Sequence, residues 1–384
     1  MANTSNGYRA GRFVTQPAGY RAFIPAPLPP TPPIRTDAAM QKLLVRAEGA
    51  LAMLNERVGM LPDVDMFVYM YMRKEAVFSN QIEGTQSSLN DLLEEEAQMP
   101  GAARPKDVAE NIRYVAAMNF GIERLKSLPV SMRLVREIHK VLMQASAGSS
   151  HVKSGEIRRS QNWIGPAGCT LKDAAFIQPP PGELGKALGE LERFLHAKDK
   201  LPLLIKIGLA HAQFETIHPF LDGNGRVGRL LITLLLCERK ALSKPALYLS
   251  HYLRLHRSEY YAGLNSAREN GDWEGWLAFF LTGMAHAAND AASTARAIIL
   301  LREKHRNFIV QEFGASAGKA LVTLDWLYSH PIISIAQAAE MAGTTYPPAA
   351  KLIQRLVDAG ILTEATGFRR HRRYRYEDYI RAFE

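Results

Sequence analysis

The residue types best suited to catalysis lie close together between His218 and Arg229, in the order His-Pro-Phe-Leu-Asp-Gly-Asn-Gly-Arg-Val-Gly-Arg. His218 can accept a proton near neutral pH, because an unperturbed imidazole titrates close to that range. Asp222 offers a carboxylate of the kind that holds a divalent cation beside phosphate oxygens. Arg226 and Arg229 are three residues apart, so both guanidinium groups can reach the same side of a helix. The stretch predicts a base, a metal ligand and two cations at one site.

The residues Gly223, Asn224 and Gly225 add an anion-binding element to this stretch. Glycine permits backbone conformations that turn successive N–H groups into one concavity, and the helix that follows presents its positive dipole end there. An amide nest with two guanidinium groups favours a polyphosphate. Each residue alone has an ordinary explanation, such as a turn, a solvated arginine or a core histidine. Their occurrence together, with His218 and Asp222, predicts phosphate-centred transfer chemistry.

Two strongly apolar segments must position this loop. Leu203 to Ile217 has the three- and four-residue spacing of a helix, and Val227 to Lys240 is apolar except at its ends. A helix that apolar is normally central and buried. Upstream, Gln161–Gly165 and Ala174–Gln178 flank a Gly/Pro-containing turn and are predicted to form the single β-hairpin of a mainly α-helical catalytic core.

On these residues the chain resembles the Fic family, whose signature it matches at each defining position from His218 to Arg229. The resemblance implies a protein adenylyltransferase, which transfers AMP from ATP to a Ser, Thr or Tyr hydroxyl of a target protein. His218 would deprotonate that hydroxyl, and Asp222 would hold Mg²⁺ between phosphates. The resemblance assigns the phosphate groups of ATP to five residues: Gly223, Asn224, Gly225, Arg226 and Arg229.

The predicted hairpin resembles the family's flap, which clamps ATP and aligns the target peptide, and a segment downstream resembles the part that packs beside adenine. The residues so implied are Ala175, Phe176, Ile177, Tyr260 and Tyr261. Either tyrosine alone is equally well explained by core packing. The family often has Asn near position 268, whereas this chain has Arg268. That departure leaves the contact with the base open at this position.

A second motif, Ser79-Asn-Gln-Ile-Glu83-Gly84, resembles the family's inhibitory motif. Ser79 and Glu83 are four residues apart and share one face at the end of a helix predicted from Val64 to Glu83, with Gly84 as its stop. The resemblance implies that Glu83 pairs with Arg229, so that ATP binds in a non-productive pose. In some family members the same glutamate supports removal of AMP.

Four regions are predicted along the chain. Residues 1–36 are rich in proline and are expected to form an extended arm that packs onto the body. An N-terminal helical region covers 37–128, in which Ser88 opens a capping box, and the catalytic core covers 129–312. Helices are also expected at 130–145 and 183–198.

The last region, 317–384, has the layout of a winged helix-turn-helix, with three short helices before a two-stranded ribbon. The predicted elements are helices Leu321–Tyr328, Ser334–Met341 and Tyr346–Ala359, and strands Ile361–Thr363 and Arg373–Tyr376. Five arginines between Phe368 and Tyr376 favour contact with DNA phosphates. The helix from Tyr346 offers few side chains that read bases, so protein docking is favoured slightly and DNA binding stays open.

The composition describes an ordinary globular protein, with 47% hydrophobic and 22% charged residues among 384. Neither a secretory signal nor a membrane span is expected, and two cysteines make no disulfide framework, so the cytoplasm is predicted. The formal net charge of +9 suits ATP, nucleic acid or acidic proteins alike.

Two further functions stay open beside AMP transfer. One is the removal of AMP from the same targets, or transfer of phosphate, which product mass would distinguish. The other is a DNA-binding regulator that senses nucleotide without catalysis; the intact His218 argues against it, because binding alone needs no base. Self-modification and a homodimer are both compatible with the sequence.

Overall fold

The computed structural model describes residues 9–61, 63–99, 105–144, 154–165 and 168–383. The first eight residues of the predicted arm and Pro166 of the predicted flap turn lie outside these ranges. The helices are α1 Ala38–Gly59, α2 Val64–Ile82, α3 Leu89–Glu96, α4 Val108–Arg124, α5 Met132–Leu142, α6 Pro181–His196, α7 Leu203–Ile217, α8 Asn224–Glu238, α9 Ser250–Leu255, α10 Arg257–Asn270, α11 Trp273–Glu312, α12 Ala317–Leu327, α13 Ile335–Met341, α14 Tyr346–Asp358 and α15 Glu377–Arg381.

Within the described residues, seven short strands form three antiparallel sheets: β1 Gly11–Thr15, β2 Arg21–Pro25, β3 Trp163–Ile164, β4 Phe176–Ile177, β5 Ile332–Ser334, β6 Thr363–Glu364 and β7 Arg373–Arg375. Strands β1 and β2 pair with each other, as do β3 and β4, and the third sheet has the order β5-β7-β6. The prediction of a mainly α-helical protein is confirmed. The hairpin predicted for the catalytic core is present as β3–β4, and β1–β2 is a further hairpin in the segment 1–36.

The chain divides into two compact units, and each contains distant parts of the sequence. The first unit comprises Met1–Ala52 and Arg113–Ala288, and the second comprises Met53–Ile112 and Asn289–Glu384. These are called the catalytic-loop unit and the C-terminal unit below. The predicted domain boundaries at 128, 312 and 317 follow a different criterion, the sequence pattern, and stay predictions.

The core of the catalytic-loop unit is built on α7 and α8. Every residue of α7 from Leu204 to Ile217 is buried, and so are nearly all residues of α8 from Asn224 to Leu236. Such helices have no solvent face, which agrees with their apolar composition. Helix α7 has the predicted bounds, but α8 begins three residues earlier than predicted. The glycines and Arg226 therefore belong to the entrance of this helix rather than to a longer loop.

The first hairpin corrects the expectation of an extended arm. The strands pair from Gly11 opposite Pro25 to Thr15 opposite Arg21, and the Phe13 and Phe23 rings meet edge to face at 5.1 Å. The intervening turn contains Pro17 and Gly19, a combination that favours chain reversal. The dense prolines begin only after β2, so they exclude helix there without excluding these strands.

The C-terminal unit joins α2 and α3 to the last elements of the chain. Phe67 and Tyr71 of α2 stack on each other at 4.7 Å, and both rings lie about 6 Å from Phe383 (6.1 and 5.8 Å). Arg375 of β7 donates to Asn90 and contacts Glu94 of α3 at 3.3 Å. These contacts fix α2 and the C-terminal elements in one hydrophobic core.

The C-terminal elements agree with prediction to within a few residues, except that β5 extends the ribbon to three strands. Strand β5 is three residues long, and its sequence, Ile-Ile-Ser, has no alternation to distinguish it from a helix start. The capping box at Ser88 is confirmed: its hydroxyl accepts from the Asp91 N–H, while the Asp91 carboxylate accepts from the Ser88 N–H. Among the described residues, no helix is both long enough and apolar enough to cross a membrane.

Candidate active site

His218 lies at the point where α7 ends. Its backbone is left-handed, with φ 51° and ψ 63°, and its N–H still donates to the Phe214 carbonyl at 2.9 Å. The ring atom Nδ1 lies 3.3 Å from the Glu215 carbonyl oxygen. A carbonyl oxygen only accepts hydrogen bonds, so Nδ1 carries the proton and Nε2 carries the lone pair. The imidazole is thus held in the tautomer that can act as a base through Nε2.

The loop after His218 is closed by the side chain of Asn224. Its Oδ1 accepts from the Phe220 N–H at 2.8 Å, and its Nδ2 donates to the Phe220 carbonyl at 2.8 Å. This double hydrogen bond fixes the entrance of α8 and explains why the helix begins at Asn224. Because the side-chain amide is engaged with the loop, a phosphate contact from this residue would use its backbone N–H. That contact stays a prediction.

Gly223 is required at its position by both conformation and space. Its φ is +77°, a value that favours glycine, and a Cβ built on it would lie 2.9 Å from Met143 Sδ and 3.4 Å from His139 Nε2. The close approach of α5 to this backbone leaves room for a hydrogen atom only. The Gly223 backbone therefore stands at the mouth of α8 in a conformation that another residue would adopt with strain.

His139 supports the same loop from α5. Its Nδ1 accepts from the Gly155 N–H at 2.8 Å, so its Nε2 carries the proton and donates to the Asp222 carbonyl at 3.0 Å. The ring also stacks on Phe220 at 3.7 Å. Burial lowers the pKa of His139 to about 4, which keeps the ring neutral and preserves this tautomer near neutral pH. His139 thus positions the loop that carries Asp222.

Asp222 and Arg226 form the charged part of the loop. Arg226 Nη2 lies 3.3 Å from Asp222 Oδ1, and that oxygen also accepts from the Gly223 N–H at 2.5 Å. The Asp222 side chain is 60% exposed, whereas that of Arg226 is 7% exposed. Arg229 is buried one turn further along α8. Burial of His211 lowers its pKa to about 4, and the charge of Arg229 adds to that shift. The loop and the first turns of α8 thus combine two buried guanidinium groups with one exposed carboxylate.

Arg158 joins the base to the flap, and the sequence pattern did not single it out. Its Nε donates to the His218 carbonyl at 2.8 Å, and Nη2 donates to the Pro179 carbonyl at 2.6 Å and the Ile217 carbonyl at 3.3 Å. The Ser160 carbonyl takes a further bond from Nη1 at 3.0 Å. Burial lowers the pKa of Arg158 to about 10, so it stays protonated at neutral pH.

The flap strand β4 lies over a buried cation. The Arg268 guanidinium lies 4.2 Å from the centroid of the Phe176 ring, and Phe176 and Ile177 are both buried. Burial lowers the pKa of Arg268 to about 10, and the nearby Glu215 opposes that shift. The departure from the family pattern at position 268 thus lies directly beneath a predicted flap residue. Ala175 is exposed next to it.

The two tyrosines differ in their surroundings. Tyr260 is buried, and its hydroxyl lies 2.9 Å from His211 Nε2. Tyr261 is 37% exposed, and the Arg257 guanidinium lies 5.7 Å from its ring. Tyr260 therefore packs in the core beside α7, whereas only Tyr261 keeps a surface that a ligand could share. A role beside adenine stays a prediction for both.

The predicted inhibitory residues belong to the C-terminal unit. Ser79 is buried in the last turn of α2, Glu83 caps the helix, and Gly84 follows with φ +106°. The turn is fixed from within the unit, because Asn80 Nδ2 donates to Asn111 Oδ1 at 2.7 Å. Helix α2 thus ends within one residue of the predicted position. The pairing of Glu83 with Arg229 stays a prediction.

Comparisons with known proteins agree with these observations. Residues 41–123 match the model described as Fic/DOC family N-terminal, and residues 129–236 match that of the Fic/DOC family. A relative in Drosophila erecta, named protein adenylyltransferase Fic, is 30% identical over 157 residues, and its counterpart in Drosophila melanogaster is 29% identical over the same length. Each match covers 40% of this chain and 28% of the relative.

Solved structures show the same fold at low identity. A Fic family protein from Desulfovibrio desulfuricans superposes with a TM-score of 0.58 at 18% identity, covering 90% of this chain and 97% of the other. A Fic domain containing signaling protein from Bacteroides thetaiotaomicron gives 0.54 at 18% identity, covering 65% and 97%. The likeness to these structures concerns the fold alone.

Proposed function

The chain belongs to the Fic/DOC family, and on that premise we propose that it is a protein adenylyltransferase, which transfers AMP from ATP to a Ser, Thr or Tyr hydroxyl. The observation that carries this proposal is the arrangement of one loop. A histidine fixed in the base-competent tautomer, an exposed carboxylate and a helix entrance with buried arginines occur between two rigid helices. The names of the matched relatives support AMP, rather than phosphate, as the transferred group.

The reaction follows from the atoms of this loop. His218 Nε2 takes the proton from the target hydroxyl, and the hydroxyl oxygen attacks the α-phosphorus of ATP. The bond between the α-phosphorus and the bridging oxygen breaks, and pyrophosphate leaves with that oxygen. The product carries AMP in a phosphodiester with the target side chain. The left-handed backbone at His218 and the Arg158 clamp on its carbonyl hold the ring for this transfer.

The phosphate groups are bound by the entrance of α8. Arg226 and Arg229 supply buried positive charge, and the N-terminal amides of the helix donate to phosphate oxygens. Such preorganised donors stabilise negative charge that develops on the leaving group. The loop backbone, held by Asn224 and His139, keeps these donors in place before ATP arrives.

The residues of the loop fit a magnesium ion bound jointly with ATP. The described residues contain no cluster of three or more His, Cys, Asp or Glu that would form a cation site by itself. Mg²⁺ commonly uses one or two carboxylates together with substrate phosphates, and the exposed Asp222 carboxylate supplies one. The ion would neutralise charge on the phosphates, and Asp222 would hold it in exchange for its contact with Arg226.

Glu83 is proposed to hold the activity low through Arg229. The support is the match of Ser79 to Gly84 with the inhibitory motif and the defined end of α2 at Glu83. Glu83→Gly removes the carboxylate, so Arg229 becomes available to the γ-phosphate. The proposal predicts a strong rise in AMP transfer for this variant.

The C-terminal elements support a winged helix-turn-helix that docks protein rather than DNA. Arg355 of α14 is engaged with the Glu312 and Phe313 carbonyls, and Arg375 contacts α3 instead of extending from the wing. The exposed cations that remain in the wing are Arg369, Arg370 and Arg372. Salt-dependent binding to duplex DNA by the whole chain, lost on neutralising these three arginines, would overturn the preference for protein.

A cytoplasmic location is proposed from the thiols. Cys169 and Cys237 are both free, and burial raises the pKa of Cys237 to about 12, so its thiol is protonated and inert.

The first measurement of function compares ATP labelled at the α- and the γ-phosphate. Wild type, Glu83→Gly and His218→Ala are each incubated with Mg²⁺ and cell lysate.

Label from the α-position, strong with Glu83→Gly, weak with wild type and absent with His218→Ala, is the expected result. Label from the γ-position would show that the protein transfers phosphate rather than AMP. ATP binding without label from any variant would favour the nucleotide-sensing regulator, and loss of AMP from a pre-labelled target would favour the reverse reaction.

A further inference from the structure

The N-terminal hairpin β1–β2 stands beside the flap hairpin β3–β4. The Phe23 ring of β2 lies 5.8 Å from the Phe176 ring of β4, and the Tyr20 hydroxyl donates to Gln161 Oε1 at 3.1 Å. The base of the first hairpin is tied to α7, because Gln213 Nε2 donates to the Ala26 carbonyl at 2.8 Å. The two hairpins therefore form fixed walls rather than separate appendages.

A groove of about 1060 Å³ lies between these walls. This is slightly above the usual range of volumes that bind small molecules, ~300–1,000 Å³, and suits several residues of an extended peptide. The lining comes in nearly equal parts from the two hairpins: Phe13, Ala18, Gly19, Tyr20, Arg21, Thr170, Leu171, Lys172, Ala174, Ala175, Phe176 and Ile177.

The groove carries positive charge without a matching carboxylate. Arg21 and Lys172 are both exposed, and among the described residues that line the groove none is acidic. Arg21 is held over the Phe13 ring at 5.2 Å, and the neighbouring Asp173 accepts from the Thr170 hydroxyl at 2.7 Å. Arg133 in the same unit is also exposed, but it pairs with Glu137 on its own surface at 3.0 Å. Arg21 and Lys172 therefore give the groove a positive charge that suits a ligand of opposite charge.

Arg158 links the flap strand that lines the groove to the base. Strand β4 ends at Ile177, and two residues later the Pro179 carbonyl accepts from the same Arg158 guanidinium that holds the His218 carbonyl. A chain laid along β4 would therefore pass towards His218. Phe13 and Tyr20 provide apolar surface along the way, and aromatic side chains of this kind anchor peptides at low entropic cost.

We propose that the groove between the two hairpins binds an acidic, extended segment of the protein that supplies the acceptor hydroxyl, with Arg21 and Lys172 pairing with carboxylates beside that hydroxyl. The proposal rests on the proposed function, since it names the target chemistry of the same site. It makes the N-terminal hairpin a determinant of target specificity. Exposed charge pairs contribute modestly, so two pairs give a preference of about tenfold rather than an absolute requirement.

The test uses three fluorescent peptides that share a central Thr-Ser-Tyr and differ in flanking Glu, Gln or Lys residues. Binding to the full chain is measured by anisotropy without nucleotide, for wild type, for Arg21→Glu with Lys172→Glu, and for Lys42→Glu with Arg46→Glu on α1. The last variant carries the same change of net charge on exposed residues away from the groove. The Gln forms, Arg21→Gln with Lys172→Gln, separate lost attraction from new repulsion.

We expect the Glu peptide to bind wild type about tenfold more tightly than the Gln peptide. The groove variant should lose that preference, and the α1 variant should keep it. Equal affinity for the Glu and Gln peptides, or equal losses in the two charge-reversed variants, would overturn the proposal. The assay needs no ATP, so it tests the groove even if the proposed chemistry fails.

Transfer is measured separately in the Glu83→Gly background with α-labelled ATP. The Glu peptide should be labelled more strongly than the Gln peptide, and self-labelling shows whether the protein transfers AMP at all. A protein that labels itself but leaves a bound Glu peptide unlabelled would refute the substrate role of the groove. A protein that neither labels itself nor consumes ATP would refute the proposed function instead.

Discussion

Two arginines with equally buried side chains, one in each compact unit, are held in different ways. Arg73 in the C-terminal unit is 7% exposed and makes a bidentate pair with Glu96 at 2.7 and 2.9 Å while lying over the Tyr69 ring. Arg226 in the catalytic-loop unit is also 7% exposed, but its contact with Asp222 is a 3.3 Å approach to a carboxylate that is 60% exposed. Arg73 has a short bidentate carboxylate partner, whereas the contact between Arg226 and Asp222 is longer and involves a carboxylate at the surface.

This difference separates two sites by purpose rather than two units, because Arg9 of the catalytic-loop unit also makes a short bidentate pair, with Glu274 at 2.6 and 2.8 Å. Buried charges are stable when they are paired with good geometry, and Arg73 meets that requirement through Glu96. A site that binds polyphosphate must instead keep its cations preorganised and exchangeable. Four predictions can break or sharpen the comparison, in order of decreasing effect.

Arg226→Met should lower AMP transfer by about 10²-fold or more, because a charge-assisted contact to phosphate is lost in a preorganised site. The change should be measured as kcat/KM in the Glu83→Gly background, together with thermal unfolding. The unfolding temperature should move little. A large loss of stability with unchanged transfer would assign Arg226 the same structural role as Arg73.

Arg73→Met should show the opposite pattern. It leaves the Glu96 carboxylate without its bidentate partner, and the free energy of unfolding should fall by about 2–3 kcal/mol, somewhat less than for a fully buried pair. Denaturant unfolding measures the loss, and transfer in the Glu83→Gly background should stay within about threefold of its reference. The double variant Arg73→Met with Glu96→Leu removes both partners. If it recovers most of the stability, the pair rather than the single cation is responsible for the loss.

Two glycines with similar backbone angles sharpen the same contrast. Gly223 has φ +77° and no room for a Cβ, whereas Gly360 of the C-terminal unit has φ +69° and open space around it. Gly360→Ala should cost about 1 kcal/mol of unfolding free energy, and Gly223→Ala about 2–3 kcal/mol, because backbone strain and overpacking add. Only Gly223→Ala should also reduce transfer. Equal losses of unfolding free energy at the two positions would show that Met143 and His139 can move away from a Cβ at position 223 without an energetic cost.

The smallest effect concerns two buried histidines. Burial lowers the pKa of His211 to about 4 and also lowers that of His305 in the C-terminal unit. Because the pKa of such a histidine is lower in the folded protein, the unfolded chain binds the proton at a higher pH than the folded protein does. The contribution of the neutral ring to the free energy of unfolding is therefore fully present above pH 6.5 and decreases as the pH falls towards 4. His211→Gln should therefore flatten the stability profile between these values more than His305→Gln does, as measured by urea unfolding at each pH. An unchanged slope in both variants would show that neither ring resists protonation in the folded state.

The sequence was sufficient for the elements whose own pattern is strong. The apolar periodicity of α7 predicted both of its ends, the serine at position 88 predicted a capping box that is present, and the signature from His218 to Arg229 indicated where the chemistry would lie. In each case the information is local, because spacing and capping act within a few residues. The family comparison agrees with that signature.

The residues that support the loop could not be found in this way. Arg158 and His139 precede His218 by 60 and 79 positions, and each lies among other polar residues that do not distinguish it. Their importance comes from partners that only the fold brings near, namely the His218 and Asp222 carbonyls. The strand β5 and the first hairpin were missed for a related reason: short strands have weak patterns, and pairing with a distant strand decides them.

The C-terminal unit is built from two separate segments of the chain, and this affects when it can fold during synthesis on the ribosome. Helix α2, which ends at Glu83, packs against Phe383, so its core cannot be completed until the chain has been made from residue 289 to that phenylalanine. At ordinary elongation rates, roughly 5–20 residues per second, this takes about 5–20 s after the catalytic-loop unit has been made. During that interval the unit with His218 has its full sequence while the unit with Glu83 does not. The order of the elements along the chain thus creates a period in which the unit that carries Glu83, on which the proposed inhibition depends, has not finished folding.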